Sequence, residues 1–107
     1  MYQAVYQLLG LACRAGKLVS GDLAVKDAIG KGKVKLILVA GDASKRTGDS
    51  FKKMATKYKI PMVEYPSKIE LGIALGKTPR SVAAITGDDF ARGVLRAMKG
   101  EGAGRKA

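Results

Sequence analysis

One segment limits the folds open to this chain more than any other: Val34–Ala40, which reads VKLILVA. Its apolar residues stand at consecutive rather than alternate positions, and Val34, Ile37 and Val39 are β-branched. That pattern suits a central strand buried on both faces. Such a strand needs helices on each side, and the flanking sequence supplies them. Tyr2, Val5, Tyr6, Leu8, Leu9, Ala12 and Cys13 recur at helical spacing, and Gly16 stops the run. Lys17-Leu18-Val19 is short and extended. Ser20-Gly21-Asp22 opens a second helix, with Ser20 or Asp22 as its N-cap. Leu23, Ala24, Ala28 and Ile29 are expected to line the inner side of that helix, which Gly30-Lys31-Gly32 ends.

Beyond the strand, Gly41-Asp42-Ala43-Ser44 reads as a turn and Ser44–Tyr58 as a helix, with Phe51, Met54 and Tyr58 facing the core. Ile60–Glu64 is a short strand with Pro61 at its start, where a missing N–H does least harm. Ser67 caps the next helix, with Glu70 as its capping-box partner. Gly76–Arg80 is a loop, Ser81–Thr86 a strand, and Asp88 and Asp89 begin a last helix running to Met98. Helices alternating with strands predict an α/β fold, a small mostly parallel or mixed sheet between two helical layers. With 107 residues and 47% apolar types, one domain over 1–98 is expected. The stretch 99–107 has almost nothing to bury and reads as a disordered basic tail.

Composition removes many chemistries. The chain has no His, so His-dependent triads, proton relays and imidazole ligand sets are out. Its single Cys13 allows no internal disulfide, and no Cys/His cluster offers a zinc site. No metal, cofactor or catalytic role is expected. The longest apolar stretches fall far short of the roughly 20 residues of a membrane span. Leu11-Ala12-Cys13 faintly resembles a lipoprotein cleavage site, but residues 1–13 lack the Lys or Arg of a signal peptide. A cytoplasmic monomer with no membrane partner is expected. The net charge is +11, and twelve basic against four acidic residues fall in 1–60. Such a field concentrates anionic partners, nucleic acid foremost. Charge alone leaves RNA, DNA, an acidic protein and an anionic membrane surface open. Lys52, Lys53, Lys57 and Lys59 read equally well as a solvated helix face.

Gly72-Ile73-Ala74-Leu75-Gly76-Lys77-Thr78 approaches a phosphate-binding P-loop, but three residues separate its glycines where four are needed, and it lies in a helix. Cys13 has no base to activate it and is read as packing. Asp42, just past the central strand, could serve as a phosphoacceptor only with a carboxylate cluster; Asp88 and Asp89 are better explained as helix caps. The positive case rests on loops. Gly16–Gly21 puts Lys17 and two glycines before a helix start, where N–H groups and the dipole favour phosphate. Lys31-Gly32-Lys33 sets two cations on a turn, and Gly76–Ser81 is a second basic loop. Structured RNA, read by shape, phosphates and unstacked bases, suits such loops better than a DNA groove does. The few aromatics argue against a stacking platform for plain single strands. The expected single RNA face comprises Lys17, Ser20, Gly21, Asp22, Leu23, Lys77, Thr78, Pro79, Arg80 and Ser81, with Lys26, Lys31 and Lys33 adding positive field at its edge.

Leu8–Gly21 (LLGLACRAGKLVSG) resembles the opening of the bacterial YlxQ-type proteins, relatives of archaeal and eukaryotic ribosomal proteins that bind kink-turn RNA. Lys35–Ser44 is similar to that family's central strand and turn, and Ile60-Pro61-Met62 and Leu71–Ile85 match its later blocks in order. The likeness runs from about Tyr2 to Ala97. It implies a three-layer α/β/α sandwich around a mixed sheet of about four strands, no catalysis, and binding to sharply bent RNA with tandem G·A pairs, as a ribosomal or ribosome-associated protein. It also implies that Lys77–Ser81 touches bulged nucleotides. The Asn-Glu-x-x-Lys motif that opens the helix in kink-turn binders falls on Leu23, Ala24 and Asp27, with Lys26 next door, so none of its three polar residues is present. The rival expectation is a ribosome-assembly or protein-interaction module whose charge serves solubility.

Overall fold

The computed structural model describes residues 2–100. Among these, helices and strands alternate as α1 (Gln3–Arg14), β1 (Leu18–Ser20), α2 (Asp22–Gly30), β2 (Leu36–Ala40), α3 (Lys45–Tyr58), β3 (Met62–Tyr65), α4 (Lys68–Leu75), β4 (Val82–Ile85) and α5 (Asp88–Met98). The four strands form one mixed sheet in the order β1-β4-β2-β3. β2 and β3 run parallel, while β4 runs against both β1 and β2.

All of β2 is buried, as its unbroken apolar run requires. Its alternate side chains divide between two cores. Leu36 and Leu38 pack with Val5 and Leu9 of α1, Leu71 of α4 and Val94 of α5. Ile37 and Val39 pack with Val25 and Ile29 of α2 and Phe51 of α3. β4 divides the same way, Ala83 and Ile85 on one side and Val82 and Ala84 on the other. The result is the expected α/β/α sandwich, with α1, α4 and α5 on one face and α2 and α3 on the other. Each fully buried Leu, Ile or Phe contributes about 1.5–3 kcal/mol. No described helix is long and apolar enough to cross a membrane.

Three expectations change. The N-cap of α2 is Gly21, with no side-chain cap, rather than Ser20 or Asp22. The inner face of α2 is Val25, Ala28 and Ile29; Leu23 is 86% exposed and Ala24 is exposed too. Two residues at about 100° each carry Leu23 to the far side of the helix from Val25. At the end of α3, Tyr58 is half-exposed beneath Lys57, and Ala55 takes the inward position. Of the basic tail, Lys99 continues in helical conformation, and 101–107 lie outside the described residues.

The antiparallel run of β4 gives the sheet two unlike ends. At one, called the upper end, β1, β2 and β3 finish, β4 begins, and α2, α3 and α4 start. At the lower end, β4 finishes and α5 starts.

Candidate nucleic-acid interface

At the upper end, the Gly21 N–H donates to the Val82 carbonyl at 3.0 Å, closing the β1–β4 pair. Gly21 has φ +95°, a conformation that glycine adopts without a Cβ penalty. The chain therefore turns from the edge strand directly into α2. With no side-chain cap, the first N–H groups of α2 face solvent, next to the exposed Asp22 and Leu23.

Opposite them runs the loop Gly76–Ser81. It doubles back along α4: the Lys77 N–H donates to the Gly72 carbonyl at 2.8 Å and the Arg80 N–H to the Lys68 carbonyl at 3.1 Å. Gly72 makes this close approach possible, since a Cβ there would collide with the Thr78 carbonyl and lie 2.9 Å from Pro79 Cα. The loop in turn fixes one side chain. Arg80 Nε donates to Ser20 Oγ at 3.2 Å, and Nη1 donates to Thr78 Oγ1 at 2.6 Å, to the Thr78 carbonyl at 3.1 Å and to the Pro79 carbonyl at 3.2 Å. No carboxylate among the described residues pairs with Arg80, and its Nη2 has no hydrogen-bond partner there. A half-buried guanidinium is thus held by neutral acceptors with two N–H donors to spare.

The same end explains Asp42 without chemistry. Its Oδ1 accepts from the Lys68 N–H at 2.8 Å, and Ser67 Oγ accepts from the Glu70 N–H at 3.1 Å, so together they satisfy the start of α4. Gly72 lies inside α4 and the helix runs on to Leu75, which leaves no P-loop. Cys13 is half-buried with its Sγ 3.8 Å from the Leu75 carbonyl. No group of three or more His, Cys, Asp or Glu that could hold a metal occurs among the described residues. What the upper end offers is donors, cations and two apolar surfaces, Leu23 and Pro79.

The expected single face does not assemble whole. The Ser20 hydroxyl meets Arg80 and the Gly21 N–H meets the Val82 carbonyl, so the start of α2, with Asp22 and Leu23, lies at the same end of the sheet as Thr78, Pro79, Arg80 and Ser81. Lys26 stands one turn down α2, its Nζ 5.6 Å from the centre of the Phe51 ring. Lys77 lies lower, beside the middle of α4. Lys17 belongs to the lower end: its carbonyl accepts from the Thr86 N–H at 2.9 Å and its side chain lies along Gly87. Six residue steps along β4 and its flanks carry the chain from Arg80 to Thr86, roughly 20 Å at about 3.3 Å each. Lys31, paired with Asp27 at 3.1 Å, and Lys33 also sit at the lower end, where the Lys35 N–H meets the Ile85 carbonyl. Sequence reasoning missed the positioning roles of Gly72 and Asp42. A glycine inside an apolar helix was the available signal for the first.

A model of the ribosomal protein L7Ae/L30e/S12e/Gadd45 family matches residues 3–94 of this chain. The RNA-binding protein YlxQ of Bacillus subtilis (strain 168) is 40% identical over 91 residues, covering 84% of this chain and 90% of that protein. A solved structure of a protein with unknown function from Bacillus halodurans C superposes with a TM-score of 0.85 at 30% identity, covering 89% of this chain and 96% of that one. The Giardia lamblia 15.5kD RNA binding protein shares the fold, with a TM-score of 0.74 at 21% identity over 89% of this chain and 82% of that one.

Proposed function

The chain belongs to the ribosomal protein L7Ae/L30e/S12e/Gadd45 family, as a YlxQ-type member, and on that premise we propose that its upper end binds sharply bent, structured RNA. The protein is a binder and not an enzyme. The proposal places it in the cytoplasm, as a monomer associated with ribosomes.

The observation that carries the reading is Arg80. Its guanidinium is positioned before any ligand arrives, it has no acidic partner among the described residues, and two of its donors remain open there beside the uncapped start of α2. An arginine fixed in this way matches phosphate geometry and loses little side-chain freedom on binding. Pro79 adjoins it in the chain and Leu23 stands exposed at the start of α2, each an apolar surface against which a splayed base can pack. With Leu23, Ala24 and Asp27 where kink-turn binders carry Asn, Glu and Lys, the start of α2 contributes N–H groups and shape rather than side-chain readout of the G·A pairs.

The test is a titration of the protein with a kink-turn RNA and with a straight duplex of the same length. The expected result is preference for the bent RNA and, for Arg80→Ala, a loss of about tenfold or more in affinity for it. The logarithmic salt slope should also fall by about 0.7–0.9 for each lost phosphate contact. Equal affinity for bent and straight RNA overturns the proposal. A protein-interaction role is favoured by one feature, the exposed Tyr6, Leu11, Ile69 and Ile73 on α1 and α4. Association with ribosomal particles that survives nuclease treatment would support that role instead.

A further inference from the structure

We propose that the solvent face of α3 is a second contact surface, a cationic ridge that takes the phosphate backbone of an A-form RNA duplex. It rests on the reading above only in assuming an RNA partner, and it uses a different element.

That face carries Lys45, Arg46, Lys52, Lys53 and Lys57, all exposed, with Asp49 as its one acid and Thr56 as its neutral member. From Lys45 to Lys57 it spans about 18 Å at about 1.5 Å per residue. Among the described residues, only Lys45 of this face has an ion-pair partner, Asp49 at 3.6 Å. Arg46, Lys52 and Lys53 pair with no carboxylate among the described residues, and Lys57 rests over the Tyr58 ring. The arrangement works against the helix. Lys53 and Lys57 are like charges one turn apart, and Lys45 and Arg46 stand in a first turn that holds no acid, where cations oppose the helix dipole. A face kept for solubility alone is better served by acids that pair with its cations, as on α5, where Asp89 pairs with Arg92.

The chemistry of the ridge selects among polyanions. A protein partner would be met by an apolar centre with a polar rim, and this face has no apolar centre. Unpaired single strands would be met by exposed rings, and the one ring here, Tyr58, lies under Lys57. A duplex presents regular rows of phosphate and hydroxyl groups that a straight cationic helix can follow by shape. The ridge also begins beside the upper-end loop. The Ala40 N–H donates to the Ser81 carbonyl at 2.8 Å, and four residues later Ser44 caps α3. A duplex arm leaving the Arg80 site would pass along α3.

The experiment compares the wild type, the triple variant Lys52→Glu, Lys53→Glu, Lys57→Glu, and Arg80→Ala on two probes. One is a blunt RNA duplex of about 16 base pairs; the other is a kink-turn RNA with short arms. For the duplex, the triple variant should bind about tenfold or more weaker than wild type, with the salt slope lower by about 2–3 if three contacts are lost. Arg80→Ala should keep its duplex affinity. A triple Gln variant losing affinity in the same direction, with an unchanged melting curve, separates charge from misfolding. The proposal is overturned if the triple variant binds the duplex like wild type, or if polyglutamate of equal charge competes as well as the duplex. If Arg80→Ala binds kink-turn RNA normally while the triple variant loses the duplex, the upper-end reading fails and the ridge stands.

Discussion

Replacing Gly72 by alanine puts the loop geometry to a quantitative test. The new Cβ would meet backbone, the Thr78 carbonyl and Pro79 Cα at 2.9 Å, and backbone cannot rotate aside as a flexible side chain can. The loop is pinned to α4 on both sides of that contact, through the Lys77 and Arg80 N–H groups, so it must shift as a unit. Forcing such a shift costs about 1–3 kcal/mol. Against this, alanine inside a helix gains about 0.5–1 kcal/mol over glycine. Gly48, inside α3, isolates that gain, because a Cβ there has nothing within 4 Å. Gly48→Ala should therefore raise the melting temperature by a few degrees, while Gly72→Ala lowers it or leaves it unchanged. The gap between the two is the steric cost, and at about 4–8 °C per kcal/mol it falls between roughly 4 °C and 24 °C. Thermal melts followed by circular dichroism give both values. A kink-turn RNA titration adds the functional half: Gly72→Ala loses affinity because Arg80 is displaced from Ser20, and Gly48→Ala does not. Two alanines that stabilise equally, with equal RNA affinity, would refute the account of Gly72 as the residue that seats the loop.

Asp42→Ala removes the acceptor of the Lys68 N–H and should lower stability by about 0.5–2 kcal/mol, read as a lower urea midpoint with unchanged slope. Lys17→Ala should leave kink-turn affinity and its salt slope at wild-type values, since Lys17 stands at the lower end; a drop comparable to that of Arg80→Ala would relocate the site.

The layers of this fold were readable in the chain because β2 demanded them. A strand with Leu36, Ile37, Leu38 and Val39 all buried leaves room for nothing but helices on both faces, and the helical spacings around it were plain. The cap at Ser67 was equally legible, since a hydroxyl just before a helix has one economical use, whereas Ser44, read as the first residue of its helix, turns out to cap it. Leu23 misled because periodicity fixes which residues share a face only once the phase of the helix is known. Val25 and Ile29 set that phase, and Leu23 points away from them.

The site was harder to read, for a reason specific to its geometry. Lys17 and Gly21 are four residues apart, and a basic loop before a helix reads as one feature. Three of the intervening residues form β1, an extended element that carries its two ends to opposite ends of the sheet. Ser20 and Arg80, sixty residues apart, become hydrogen-bonded neighbours because β1 pairs antiparallel with β4 in a register that sets Ser20 opposite Ala83. Register depends on the pairing of two strands, and β1, only partly buried along its length, carries too weak a pattern to announce it. Sequence therefore reported which residues suit an RNA face, while the strand pairing decided which of them lie together. Shifting β1 by one residue would separate Arg80 from the Ser20 hydroxyl and free the guanidinium, so a preorganised Arg80 depends as much on the edge strand as on its own loop.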